Sequence, residues 1–108
     1  MVEPVIARLW KGSVRSEDAD VYADYIRETG FTAYGETKGN RGAWMLRRDV
    51  GDLTEFQTYS LWDSIESVKA FAGEDYEAAV YYADDDRYLV ERDDRVAHFE
   101  VADEIPAP

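Results

Sequence analysis

The chain has 108 residues, 45% of them hydrophobic and 33% charged, proportions that suit one globular domain and not a disordered chain. Twelve Lys and Arg against 24 Asp and Glu leave a net charge of −12, which repels nucleic acid and anionic membrane surfaces. With no cysteine and a single histidine, His98, the sequence excludes disulfides, thiolate metal sites, a cysteine nucleophile and multi-histidine metal clusters.

The opening MVEPVIARLWKGS lacks the basic segment and long apolar run of a secretory signal. No apolar run approaches the ~18 residues of a membrane helix. A cytoplasmic location is therefore expected. Val5 to Val14 reads as a strand with Val5, Ala7 and Leu9 on one face and Ile6, Arg8 and Trp10 on the other. Ser16 is placed to cap a helix whose first turn carries Glu17, Asp18 and Asp20. Ala19, Tyr22, Ala23 and Ile26 give that helix an apolar stripe, and Gly30 is expected to end it in a left-handed conformation.

Phe31 to about Gly42 reads as a loop broken by glycines. Two strands follow, Ala43 to Val50 and Thr54 to Trp62, joined by Gly51-Asp52-Leu53 in a short hairpin connection. In the second strand Phe56, Thr58, Ser60 and Trp62 share a face. Asp63 with Glu66 forms a capping-box pattern for a second helix that Gly73 ends. Glu74 to Leu89 is expected to hold a further helical turn or two, interrupted by Asp84, Asp85 and Asp86. The last strand is about Arg95 to Val101, with Val96, His98 and Glu100 on one face.

The order β-α-β-β-α-β predicts a single α+β domain over 1–108, with its core between about 5 and 101. Its architecture is a ferredoxin-like sandwich, a four-stranded antiparallel sheet with both helices on one face. The strands carry apolar groups on both faces, so the uncovered side is expected to be apolar. A symmetric dimer packing sheet against sheet is the economical cover.

Leu61-Trp62-Asp63-Ser64, Ala70-Phe71-Ala72-Gly73, the run from Tyr81-Tyr82 through Asp84-Asp85-Asp86, and Val96 to Val101 together resemble the antibiotic biosynthesis monooxygenase-like family. The resemblance covers nearly the whole chain. It implies a dimeric α+β barrel and, among activities, cofactor-independent oxygenation of electron-rich aromatic or polyketide-like molecules, or haem degradation. Haem-degrading members use an Asn on the first strand, a Trp on the third and a His in the second helical region. This chain keeps Trp62 but has no Asn between Val5 and Val14 and no His between Asp63 and Leu89. No cofactor is therefore expected, and a haem-binding protein with altered ligation stands as the alternative.

Several residues have both a structural and a functional reading. Trp62 suits packing of the sheet against the second helix, or a cavity wall whose indole N–H donates to a substrate oxygen. His98 is the one side chain with an ordinary pKa near neutrality, suited to a general base as well as to a structural hydrogen bond. Arg8 faces the Trp10 side and requires either a carboxylate partner or an anionic ligand. Tyr22, Tyr25, Tyr34, Tyr81, Tyr82 and Trp10 suit either aromatic packing or the walls of a cavity for a small aromatic molecule. Asp84-Asp85-Asp86 lacks spaced ligands for calcium and reads as a solvated acidic turn. The expected product is a homodimer with a pocket in each subunit; the rival from another class is a non-catalytic binding or assembly module.

Overall fold

A computed structural model describes residues 3–108; Met1 and Val2, the first two residues of the expected domain, lie outside the described residues. Strand β1 (Ile6–Arg15) pairs antiparallel with β3 (Leu53–Trp62) along its whole length, from Ile6 opposite Trp62 to Arg15 opposite Leu53. On its other side β3 pairs antiparallel with β2 (Asn40–Val50). Their turn places Gly51 at φ +61°, which glycine adopts without steric cost. The remaining edge of β1 carries two short strands, β4 (Leu89–Arg92) beside Gly12 to Val14 and β5 (Ala97–Glu100) beside Ile6 to Leu9. The architecture is α+β and ferredoxin-like, as expected, with its fourth strand position divided between two segments.

Alternation sorts the sheet. Ile6, Arg8, Trp10 and Val14 of β1 and Thr54, Phe56, Thr58, Ser60 and Trp62 of β3 are all buried on the helix side. Their neighbours on the opposite side, Leu9, Tyr59 and Leu61, are only partly covered, and Trp44, Leu46 and Phe99 are 48%, 49% and 56% exposed. The shortest molecular dimension is 21 Å, the thickness of one sheet and one helical layer at about 10 Å each. The second sheet face therefore has no helical layer over it in the protomer and, Ala7 apart, is partly or largely exposed, as the two-sided apolar strands predict.

The helices depart from expectation in several places. Ser16–Asp18 forms a single 3₁₀ turn, and α1 runs Ala19–Glu28. Ser16 does not cap α1; its Oγ lies 3.0 Å from Thr54 Oγ1. Nor does Gly30 stop the helix. Thr29 closes α1, and Gly30 opens α2 (Gly30–Glu36) inside the expected loop. Phe31 and Tyr34 explain this, because they sit one turn apart and pack on each other while Tyr34 packs on Trp62 and Phe71; that burial outweighs the weak helix propensity of Gly30 and Gly35.

Ser64, not Asp63, caps α3 (Ile65–Ala72), its Oγ accepting from Ser67 N. Gly73 ends α3 at φ +91°, as expected. The stretch from Glu74 does hold a helical turn, but at the aspartates expected to interrupt it. It is irregular except for that turn, α4 (Asp85–Tyr88), before β4. Asp85 in that turn is buried, which corrects the reading of the triple aspartate as wholly solvated; Asp84 and Asp86 alone are exposed. Among the described residues no helix is long and apolar enough to cross a membrane.

Candidate functional site

Two apolar clusters fill the space between sheet and helices. One holds Trp10, Val14, Tyr22, Ile26 and Phe56; the other holds Ile6, Tyr34, Trp62 and Val68. Arg8 occupies the strand position between Ile6 and Trp10, so the pleat carries a guanidinium into the seam between the clusters. A cavity of about 50 Å³, open to solvent on one side, lies at that seam. It has room for about three or four waters.

The cavity is lined by Arg8, Trp10, Tyr22, Tyr34, Thr58, Tyr81, Tyr82 and Asp85, with Phe31 and Phe71 among the apolar walls. Arg8 is 2% exposed. Its Nη1 donates to the Tyr76 carbonyl at 2.7 Å and to His98 Nε2 at 2.9 Å, and its guanidinium lies 5.5 Å from the Phe71 ring centroid. Its Nε has no partner, and among the described residues no carboxylate forms an ion pair with it. Of the two readings of Arg8, the protein carboxylate partner is thus missing. Burial pulls its pKa below the ordinary arginine value, yet a guanidinium remains charged at neutral pH.

His98 stands behind Arg8, edge-on to Tyr76, and does not line the cavity. Because Nε2 accepts from Arg8, the ring proton belongs on Nδ1, which is buried without a partner. Burial, and then the Arg8 charge, hold the His98 pKa below its ordinary value of 6.5. Trp62 also lies away from the cavity. It is fully buried, its indole N–H donates to Ser60 Oγ at 2.9 Å, and it packs on Tyr34 and Phe71. Tyr25 lies outside the cavity too, its hydroxyl accepting from Asp84 N at 2.8 Å.

The structure does bring Arg8, Trp10, Tyr22 and Tyr82 together around one space. Trp10 reaches it because residue 12 is glycine; a Cβ there would lie 2.6 Å from the indole ring. The indole N–H donates to Tyr81 Oη at 3.0 Å, and the Tyr81 hydroxyl donates to the Asp93 carbonyl. Asp85, which the sequence reading left in solvent, lines the same cavity. Its Oδ1 accepts from the Tyr22 hydroxyl at 2.9 Å and its Oδ2 from Tyr82 N at 2.7 Å. Burial and the Asp85 charge push the Tyr22 pKa far above its ordinary value, so Tyr22 stays a neutral donor. The one hint of this in the sequence is the pair Tyr81-Tyr82, separated from the acidic run by Ala83 alone.

Haem does not fit these residues. The one imidazole lies behind Arg8 with its Nε2 engaged, no histidine lines the cavity, and a space of about 50 Å³ does not take a porphyrin. The residues at the sheet's helix side suit a small polar-ended molecule instead.

No family model matches the sequence, and no curated protein matches it. Solved structures do. A candidate antibiotic biosynthesis monooxygenase from Bacillus cereus aligns over 96% of this chain and 99% of its own, with TM-score 0.66 and 14% identity. A haem-degrading protein of Mycobacterium tuberculosis, solved without haem, aligns over 97% and 99%, with TM-score 0.66 and 15% identity. A Nitrosomonas europaea protein of unknown function aligns over 100% of both chains, with TM-score 0.67 and 15% identity. This chain shares their fold. At such identities the likeness to monooxygenase-like proteins is one of backbone architecture, and the chemistry has to be argued from the side chains above.

Proposed function

We propose that the protein is a homodimer that binds a small, electron-rich aromatic molecule through an oxyanion held by Arg8, and oxygenates it without a cofactor. The observation that carries this reading is a guanidinium buried at a cavity wall with no carboxylate paired to it. An uncompensated buried charge costs several kcal/mol, and an anionic ligand offsets that cost. Aromatic walls from Trp10, Phe31, Phe71 and Tyr82 suit a ring. The cavity volume favours one ring, seated partly in the mouth, over a fused polycycle.

Roles follow from position. Arg8 favours the ionised form of a phenol, because an adjacent cation in a dry wall stabilises negative charge more than water does. The phenol proton leaves through the open mouth, and the oxyanion's charge spreads into the ring. A ring carbon then bonds to O₂; the O–O bond breaks, one oxygen stays on the ring and the other leaves as water. A quinol plus O₂ thus becomes a hydroxyquinone plus water, the ring losing the electrons that O₂ gains. His98 fits the role of orienting Arg8 from behind better than that of base, since its Nε2 already accepts from Arg8. Trp62 supports the site by fixing Tyr34 and Phe71. Trp10, Tyr22 and Tyr82 would wall the ring, and Tyr25 would brace the Asp84 backbone.

The dimer rests on the exposed sheet face, where the Trp44 and Tyr59 rings meet at a 5.6 Å centroid distance, tilted by 55°, beside Leu46, Leu61 and Phe99. Such a face is what a second sheet covers.

Oxygen uptake with methylhydroquinone under isotopically labelled O₂ tests the chemistry. Uptake above the spontaneous rate, with one labelled oxygen in the product and a loss of about 10²-fold or more in kcat/KM for Arg8→Gln, is expected. No uptake, or equal rates for both proteins, refutes it.

A further inference from the structure

We propose that the cavity selects a ligand with two polar ends: an oxyanion that meets Arg8 and a hydroxyl that donates to Asp85. This rests on the reading above that a ligand binds at Arg8, and adds what stands at its other end. Two charged side chains line one small cavity, Arg8 at 2% exposure and Asp85 at 6%. They do not pair with each other, and among the described residues neither has an oppositely charged partner. Burying two opposite charges separately, each uncompensated, is a costly arrangement for a core whose surroundings are aromatic.

Asp85 is held in place by two donors, the Tyr22 hydroxyl on one oxygen and Tyr82 N on the other. Each carboxylate oxygen retains acceptor capacity beyond those bonds. Arg8 is complementary: Nη1 is committed to Tyr76 and His98, and Nε remains an unmatched donor. Toward a bound molecule Arg8 can therefore only donate and the Asp85 carboxylate can only accept, while the hydroxyls of Tyr34, Thr58 and Tyr82 share the wall between them and can do either. A molecule with an anion at both ends would meet Asp85 with like charge, and one lacking the hydroxyl would cover Asp85 with apolar surface. The class that satisfies both ends is a small aromatic hydroxy acid or a singly ionised dihydroxy aromatic.

The probes are 4-hydroxybenzoate, benzoate, phenol and terephthalate, titrated into the full chain by calorimetry. For the unaltered protein 4-hydroxybenzoate is expected to bind about tenfold or more tighter than benzoate or phenol, with terephthalate weakest. Asp85→Asn should bring 4-hydroxybenzoate down to the level of benzoate while keeping the advantage over phenol; Arg8→Gln should do the reverse. Tyr22→Phe, which leaves the carboxylate and frees one of its acceptor sites, should retain or enlarge the hydroxyl preference, and it serves if Asp85→Asn fails to fold. Benzoate binding as tightly as 4-hydroxybenzoate in an Arg8-dependent manner overturns the second contact and leaves the first reading standing. A hydroxyl preference that survives Asp85→Asn also overturns it. Failure of every probe to bind overturns both.

Discussion

Arg8 and His98 share one hydrogen bond, and that bond exists only while His98 is neutral, because Nε2 must accept. Arg8 is the cation facing the ring, Glu77 exerts a weaker opposing pull, and the Tyr76 ring packs edge-on. The folded state therefore resists protonating His98 at pH values where the unfolded chain takes the proton. Such a group adds stability that is full above the unfolded pKa, near 6.5, and is lost as pH falls through the depressed folded value. The many carboxylates respond to acid as well, so the difference between two proteins isolates the histidine. The melting-temperature advantage of the unaltered chain over His98→Gln is expected to shrink from about pH 8 to about pH 5. An advantage independent of pH would contradict the assigned bond.

At the level of elements, the strands were legible because alternation with a period of two is local. Phe56, Thr58, Ser60 and Trp62 fall on the covered face as their spacing requires. The helical segments were less so. Helix α2 forms around Tyr34, whose partners Trp62 and Phe71 lie about 30 residues or more away, and no local pattern carries that information. The broken fourth strand is similar, since Val96 is tied by its N–H to the Glu77 carbonyl. The open face of β1, β2, β3 and β5 was readable as a problem in the sequence, and its proposed solution is a second copy. Light scattering should give twice the 12.4 kDa chain mass, and Phe99→Asp, a charge placed on that face, should shift the species to a monomer. A monomeric unaltered protein at micromolar concentration removes the dimer from the account.

For the molecule as a whole, an acidic surface surrounds a core that nevertheless keeps a cation. The charge of −12 makes the missing partner of Arg8 more telling, for carboxylates are abundant and none is spent on it. Composition alone left a paired arginine and a ligand-bound one both open, because pairing is decided by which side chains the fold brings within reach. Asp85 carries the same lesson, an acidic residue read as wet that the Tyr22 and Tyr82 contacts draw inside. The cavity between these two groups is where the account concentrates its chemistry. The most direct measurement follows the Arg8 Nε–H resonance in ¹⁵N-labelled protein, assigned by its absence in Arg8→Gln, as 4-hydroxybenzoate is added. A saturable shift of that resonance, with slower exchange of its proton with water, is the expected result. Saturating changes elsewhere in the spectrum with the Arg8 signal unmoved would contradict an oxyanion site at this arginine.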